Sequence, residues 1–270
     1  MKRALTCASL ALGLVALAAI PAHADETTFC NAYITTLPYT INTQGHYCFD
    51  PNLSTAITTG NAITINSDFV VVDLNNFKLG GGSAGLATNT NGIYAINHRN
   101  ITIRNGNIRG FKYGIQIQYS SIALSGGHLI ENNVLDGNTY TAIYVIGDTQ
   151  VVRNNTILNT GGSSSNPSNV TGIYTNNYGA SGITQTRDNI IANTFNSGTG
   201  YHARGVYFSF GDNDHNLIRS GSVSHGYAYG FYSFWGGWCR DNTVIFNSSG
   251  RAYSGCNLIG PSGSNYTTNP

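Results

Sequence analysis

The stretch Asn100–Gln118 reads NITIRNGNIRGFKYGIQIQ, and its interpretation decides the fold. Two short alternating apolar runs, Ile101–Ile103 and Ile115–Ile117, flank an Asn/Gly turn and a second apolar pair at Ile108 and Phe111. Neither run is long enough for a globular helix. Short β-branched segments bounded by Gly and Asn are strand signals, so this stretch is expected to form two or three short strands joined by tight turns.

Outward from it the pattern repeats in two columns. The first is a small residue, an apolar residue and then usually Tyr: Gly92-Ile93-Tyr94, Gly114-Ile115-Gln116, Ala142-Ile143-Tyr144, Gly172-Ile173-Tyr174, Gly205-Val206-Tyr207 and Gly230-Phe231-Tyr232, at spacings of 22, 28, 30, 33 and 25 residues. The second places Asn or Gly just before a β-branched or Leu/Ile position: Asn105-Gly106-Asn107-Ile108, Asn132-Asn133-Val134, Asn154-Asn155-Thr156-Ile157, Asp188-Asn189-Ile190-Ile191, His215-Asn216-Leu217-Ile218 and Asp241-Asn242-Thr243-Val244. A period in the twenties with variable insertions marks a solenoid whose units bury their apolar faces against one another. Propeller blades need about 40–50 residues, and a leucine-rich horseshoe needs a Leu framework absent here. An all-β parallel β-helix remains, with coils about 4.8 Å apart.

From about Ala62 to Ile259 the chain resembles the right-handed parallel β-helices of the pectate-lyase-like superfamily. FVVVDLNNFKLGG (Phe69–Gly81) is similar to their first full coil, and ITIRNGNIRGFKYGIQI to their repeat. The resemblance implies the fold more strongly than an activity, because such coils serve lyases, hydrolases, phage spikes and non-catalytic surface proteins alike. The clustered aspartates of the calcium-dependent lyases have no counterpart, so no metal and no other cofactor is expected.

The start of the chain carries Lys2 and Arg3, an apolar run from Ala8 to Ile20 and an Ala22-x-Ala24 cleavage pattern, which reads as a signal peptide over residues 1–24. Residues 25–61 are expected to form an N-terminal cap, 62–260 the β-helix and 261–270 a polar tail. Lys2 and Arg3 leave with the leader, so 13 basic and 12 acidic residues become 11 and 12. That balance offers no basic surface for nucleic acid, and no second apolar segment approaches the roughly 20 residues of a membrane anchor. A secreted or periplasmic product is expected. The abundance of Gly and Asn, 33 of each, fits a fold that turns sharply in every coil, because both tolerate the left-handed conformation of tight turns. The same repetition allows Asn ladders between coils.

Four cysteines remain after the leader: Cys30, Cys48, Cys239 and Cys256. Sequence alone permits three pairings. If the coils stack as the resemblance implies, about seven of them separate the two local pairs, roughly 30 Å at 4.8 Å per coil. Only Cys30–Cys48 and Cys239–Cys256 then fall within disulfide reach.

For chemistry, alternation in the small–apolar–Tyr strand sends the apolar residue inward and the next outward. Tyr94, Tyr144, Tyr174, Tyr207 and Tyr232 are therefore expected to line one sheet, as a self-stacking ladder or as a platform for sugar rings. Trp235, in the aromatic-rich Tyr227–Trp238 patch, extends the platform reading. Asp148 and Asp212, each following a Gly after the Tyr strand, are a candidate carboxylate pair if they lie in one column. In the second column Arg104, Arg153, Arg187, Asp214 and Arg240 are expected to form a charge ladder, with Asp214 between Arg187 and Arg240.

A lyase needs a base and a carboxylate-neutralising cation. His202 and Arg204 lead into Tyr207, and with Asp212 they form the candidate catalytic group, with His225 and Lys112 on adjacent coils. Two functional classes stay open. One is an exported protein that binds an extracellular polysaccharide along the Tyr-lined sheet, uronate-containing in the lyase case, with or without lyase or hydrolase activity. The other is a non-catalytic surface, matrix or adhesin-like rod.

Overall fold

A computed structural model describes residues 29–120, 125–177, 183–196, 198, 201–223, 227–246, 250–258 and 266–268. The leader, its cleavage site, His225 and most of the tail lie outside these residues.

The strands of the repeat stack into three parallel sheets of ten, nine and nine strands, each coil giving one strand to each. In the coil quoted above, Ile101–Arg104 joins the first sheet, Asn107–Arg109 the second and Tyr113–Gln118 the third. This is a right-handed parallel β-helix, with the stacked coils that the period implies and the hand that the resemblance implies. Ala32–Ile34, Tyr39–Ile41, Gly45–Phe49 and Leu53–Ser54, assigned from sequence to a cap, already pair in parallel within these sheets. Tyr266–Thr268 from the tail adds a strand beside Thr243–Ile245. The expected disulfides are formed, Cys30–Cys48 and Cys239–Cys256, and they hold the first and last coils.

The register explains both repeat columns. Inward-facing Ile63, Ile93, Ile115, Ile143, Ile173, Val206 and Phe231 stack vertically and are fully buried. The small residue before them is dictated by the neighbouring coil. A Cβ on Gly92, Gly172, Gly205 or Gly230 would stand 2.4–2.8 Å from the carbonyl oxygen of the corresponding residue one coil on, a contact that excludes larger side chains. At the turn between the first and second sheets, Asn105, Asn132, Asn154, Asp188, His215 and Asp241 all take positive φ, between 51° and 57°. Asn, Asp and His are the non-glycine residues that occupy this region most readily.

The residue after each of these from Asn132 onward is a buried Asn: Asn133, Asn155, Asn189, Asn216 and Asn242. The backbone N–H of each of the first four donates to the side-chain oxygen of the next, at 2.9–3.1 Å. Their amide nitrogens satisfy buried carbonyls such as Val152 O and Thr186 O. This ladder pairs enclosed backbone groups that the sharp turn leaves without sheet partners.

Candidate functional site

Outward-facing residues of the first sheet build the site. Alternation along Gly211–Asp214 points Asp212 and Asp214 to solvent and buries Asn213. Phe210, just before the strand, has φ 52° and turns the chain from the third sheet onto the first. Its N–H donates to Gly236 O of the next coil at 3.0 Å. Gly236 and Gly237, both with positive φ, form the facing turn. Gly237 is packed so tightly that a Cβ would meet the Phe208 ring at 2.4 Å. That turn carries Trp235 and hands the chain to Trp238–Arg240, which pairs in register so that Trp238 stands beside Asp212 and Arg240 beside Asp214. Asn257 follows Trp238 on the next coil.

The result is a groove of about 430 Å³ lined by Ile183, Phe210, Asp212, Trp235, Trp238 and Asn257. Its rings are open to solvent: Trp235 is 59% exposed, Trp238 50% and Phe210 43%. The Phe210 and Trp235 rings lie nearly parallel, with centroids 6.5 Å apart. Asp212 is shared with a smaller polar basin of about 160 Å³ formed with Gln185, Arg187, Asp214 and Arg240. One Nη2 of Arg240 lies 3.1 Å from Asp212 Oδ2 and 3.5 Å from Asp214 Oδ2. Sharing that atom holds the two carboxylates at or below the short end of the roughly 6.5–9.5 Å separation used by inverting glycosidases. The Arg187 Nε is enclosed without a hydrogen-bond acceptor among the described residues.

The basin is the end of a charge ladder longer than the sequence reading had it. Asp73, Arg104, Glu131, Arg153, Arg187, Asp214 and Arg240 occupy one column in register. Arg104 pairs with Asp73 at 2.7 Å and Arg153 with Glu131 at 2.7 Å. Asp214 sits between Arg187 and Arg240 as expected.

The tyrosines stand where the repeat puts them. Tyr94, Gln116, Tyr144, Tyr174, Tyr207 and Tyr232 form one outward column. They are half-buried rather than exposed, because the rings cover one another. Tyr144 stacks on Tyr174 at 4.5 Å, Tyr174 meets Tyr207 at 4.7 Å and Tyr207 meets Tyr232 at 5.4 Å. Tyr113 packs its ring against Tyr140 and Tyr144, and burial raises its phenol pKa.

The four candidate catalytic residues do not converge. Arg204 and Tyr207 belong to the tyrosine sheet and His202 lies just before their strand, whereas Asp212 lies beyond the Phe210 corner on the neighbouring sheet. Arg204 has its guanidinium 4.9 Å from the Tyr207 ring centroid and 4.7 Å from that of Tyr232. Burial lowers its pKa. His202 Nδ1 accepts the Tyr227 N–H at 3.1 Å, and burial together with Arg204 lowers its pKa. Lys112 Nζ donates to Asn89 Oδ1 and lies 5.9 Å from the Tyr113 and Tyr140 rings.

Asp148 and Asp212 do not share a column. Gln150, Thr184 and Gly211 align, so Asp212 stacks over Val151 and Gln185, three residues out of step with Asp148. The insertion between Asn177 and Thr184 removes any constant spacing from which that offset could be read. Trp238 closes the aromatic-rich patch that the sequence marks, whereas the groove walls at Phe210 and Asn257 are not part of the sequence reading. The i, i+2, i+4 alternation of Phe210, Asp212 and Asp214 was the available signal.

No protein-family model and no curated protein matches the chain. Among solved structures it is similar to the enzymatically active domain of bacteriophage CBA120 tailspike protein 2, at 14% identity and a TM-score of 0.35. The match covers 84% of this chain and 38% of that one.

Proposed function

We propose that this chain is an exported polysaccharide-binding β-helix that engages its glycan in the groove of Phe210, Asp212, Trp235 and Trp238. The observation that carries this reading is the exposure of three aromatic rings around a carboxylate, beside a basin with two arginines. Apolar ring faces receive the C–H faces of sugars, and charged or amide groups at the rim fix hydroxyls. The tyrosine column is the weaker platform, because its ring faces are occupied by neighbouring rings. Asp212 and Asp214, held close by Arg240, are the pair to which we assign hydrolysis if the bound glycan is cut. A chain that holds the glycan without cutting it differs only in that last step, whereas a surface, matrix or adhesin-like rod would leave the groove without a sugar.

The test is a broad glycan array probed with the mature chain, Trp238→Ala and Asp212→Asn. Binding that falls at least tenfold in Trp238→Ala supports the groove. Silence across the panel, or undiminished binding in Trp238→Ala and Trp235→Ala, overturns it. Product analysis then separates the two classes. Cleavage by the parent that drops 10²–10⁴-fold in Asp212→Asn with binding retained assigns acid–base work to Asp212.

A further inference from the structure

The left-handed turn column changes character along the molecule. In three successive coils it is Asn105, Asn132 and Asn154, and in the next three it is Asp188, His215 and Asp241, all at φ 51–57°. The backbone demands are the same throughout, so the turn does not explain why the later coils use titratable, metal-ligating types. At the same corner Asp214 turns outward from the charge ladder. One donor atom from each of Asp214, His215 and Asp241 lies within 4.8 Å of the other two.

The two oxygens of Asp214 face different partners. Oδ2 is 3.5 Å from Arg240 Nη2. Oδ1 is 2.8 Å from His215 Nδ1, is sealed from solvent, and receives no hydrogen bond of good geometry among the described residues. An enclosed carboxylate oxygen whose one close nitrogen is poorly directed for a hydrogen bond is incompletely satisfied, and a cation shared with the imidazole and Asp241 would relieve it. His215 is largely exposed, which leaves a path for entry and room for water to complete the coordination.

We propose that Asp214, His215 and Asp241 form a divalent transition-metal site at the edge of the charged basin. One imidazole nitrogen and two carboxylate oxygens are a donor set suited to Zn²⁺, with water as the remaining ligand. An all-oxygen calcium cage is not what these residues offer. The site shares Asp214 with the carboxylate pair of the proposed function, but its test involves no sugar and so stands or falls apart from that reading.

The fold supplies benign substitutions. His215→Asn and Asp241→Asn place in this turn the residue that it holds in the three earlier coils. Calorimetric titration of the mature chain with Zn²⁺ alone should give one site, with affinity at least tenfold weaker in each variant and melting temperatures in metal-free buffer close to the parent. His98→Asn is the control, because His98 contacts Asp68 at 3.0 Å but belongs to no such three-residue cluster among the described residues; its titration should match the parent. Absence of Zn²⁺ binding overturns the proposal. So does undiminished affinity in His215→Asn and Asp241→Asn, or an equal loss in His98→Asn, which would mark scattered surface histidines.

Discussion

At the residue scale, the Asn ladder and one histidine carry the clearest consequences. Asn189 Oδ1 accepts from both Asn155 N and Asn155 Nδ2, and its own amide donates to Val152 O, Arg187 O and Asn216 Oδ1. Asn189→Ala strands several enclosed groups, each costing about 1–3 kcal/mol. We expect urea denaturation to show a loss of at least about 2 kcal/mol. His128 is buried, with Nε2 2.8 Å from Ser125 Oγ, and burial pushes its pKa down to about 4. The unfolded chain therefore binds this proton more readily than the folded one. Stability is unaffected above pH 6.5 and falls as the pH drops toward 4, by roughly 3 kcal/mol in all. His46 and His202 are shifted in the same direction, so the slope measured by denaturation across that window should be reduced, not abolished, in His128→Gln. Only the first of these was legible in the sequence. An isolated His reveals nothing of its burial, whereas the Asn column was visible because the fold repeats it.

At the element scale, the strands followed the sequence closely and the corners did not. Each small–apolar–Tyr triplet became a strand of the third sheet, because the close approach of successive coils admits only Gly or Ala before the buried residue. The turn onto the first sheet at Phe210 has no strong residue signature, since Phe rarely adopts a positive φ. His202, Arg204 and Tyr207 were consequently grouped with Asp212 across a corner that separates them. Asp73 and Glu131 also escaped the charge column, because Asp73 is followed by Leu74 rather than Asn and Glu131 precedes the motif where its neighbours carry Arg. The tyrosine column, by contrast, packs ring on ring along the sheet. Tyr174→Ala removes contacts with Tyr144 and Tyr207 worth about 0.5–1.5 kcal/mol each. It should lower stability by about 1–3 kcal/mol in denaturation while changing glycan affinity less than twofold. A tenfold loss of glycan affinity would restore that column as the binding face.

At the scale of the whole molecule, register turns a one-dimensional repeat into a surface. Phe210, Trp235, Trp238 and Asn257 lie on successive coils near one end, and the Cys239–Cys256 disulfide fixes the last of them. Both tryptophans of the chain line the groove, so the protein carries its own reporter of occupancy. The most direct measurement is intrinsic tryptophan fluorescence during titration with a glycan that calorimetry shows to bind. The groove account predicts a saturable change in emission whose midpoint matches the calorimetric affinity. Stoichiometric glycan binding with tryptophan emission unchanged throughout would contradict it.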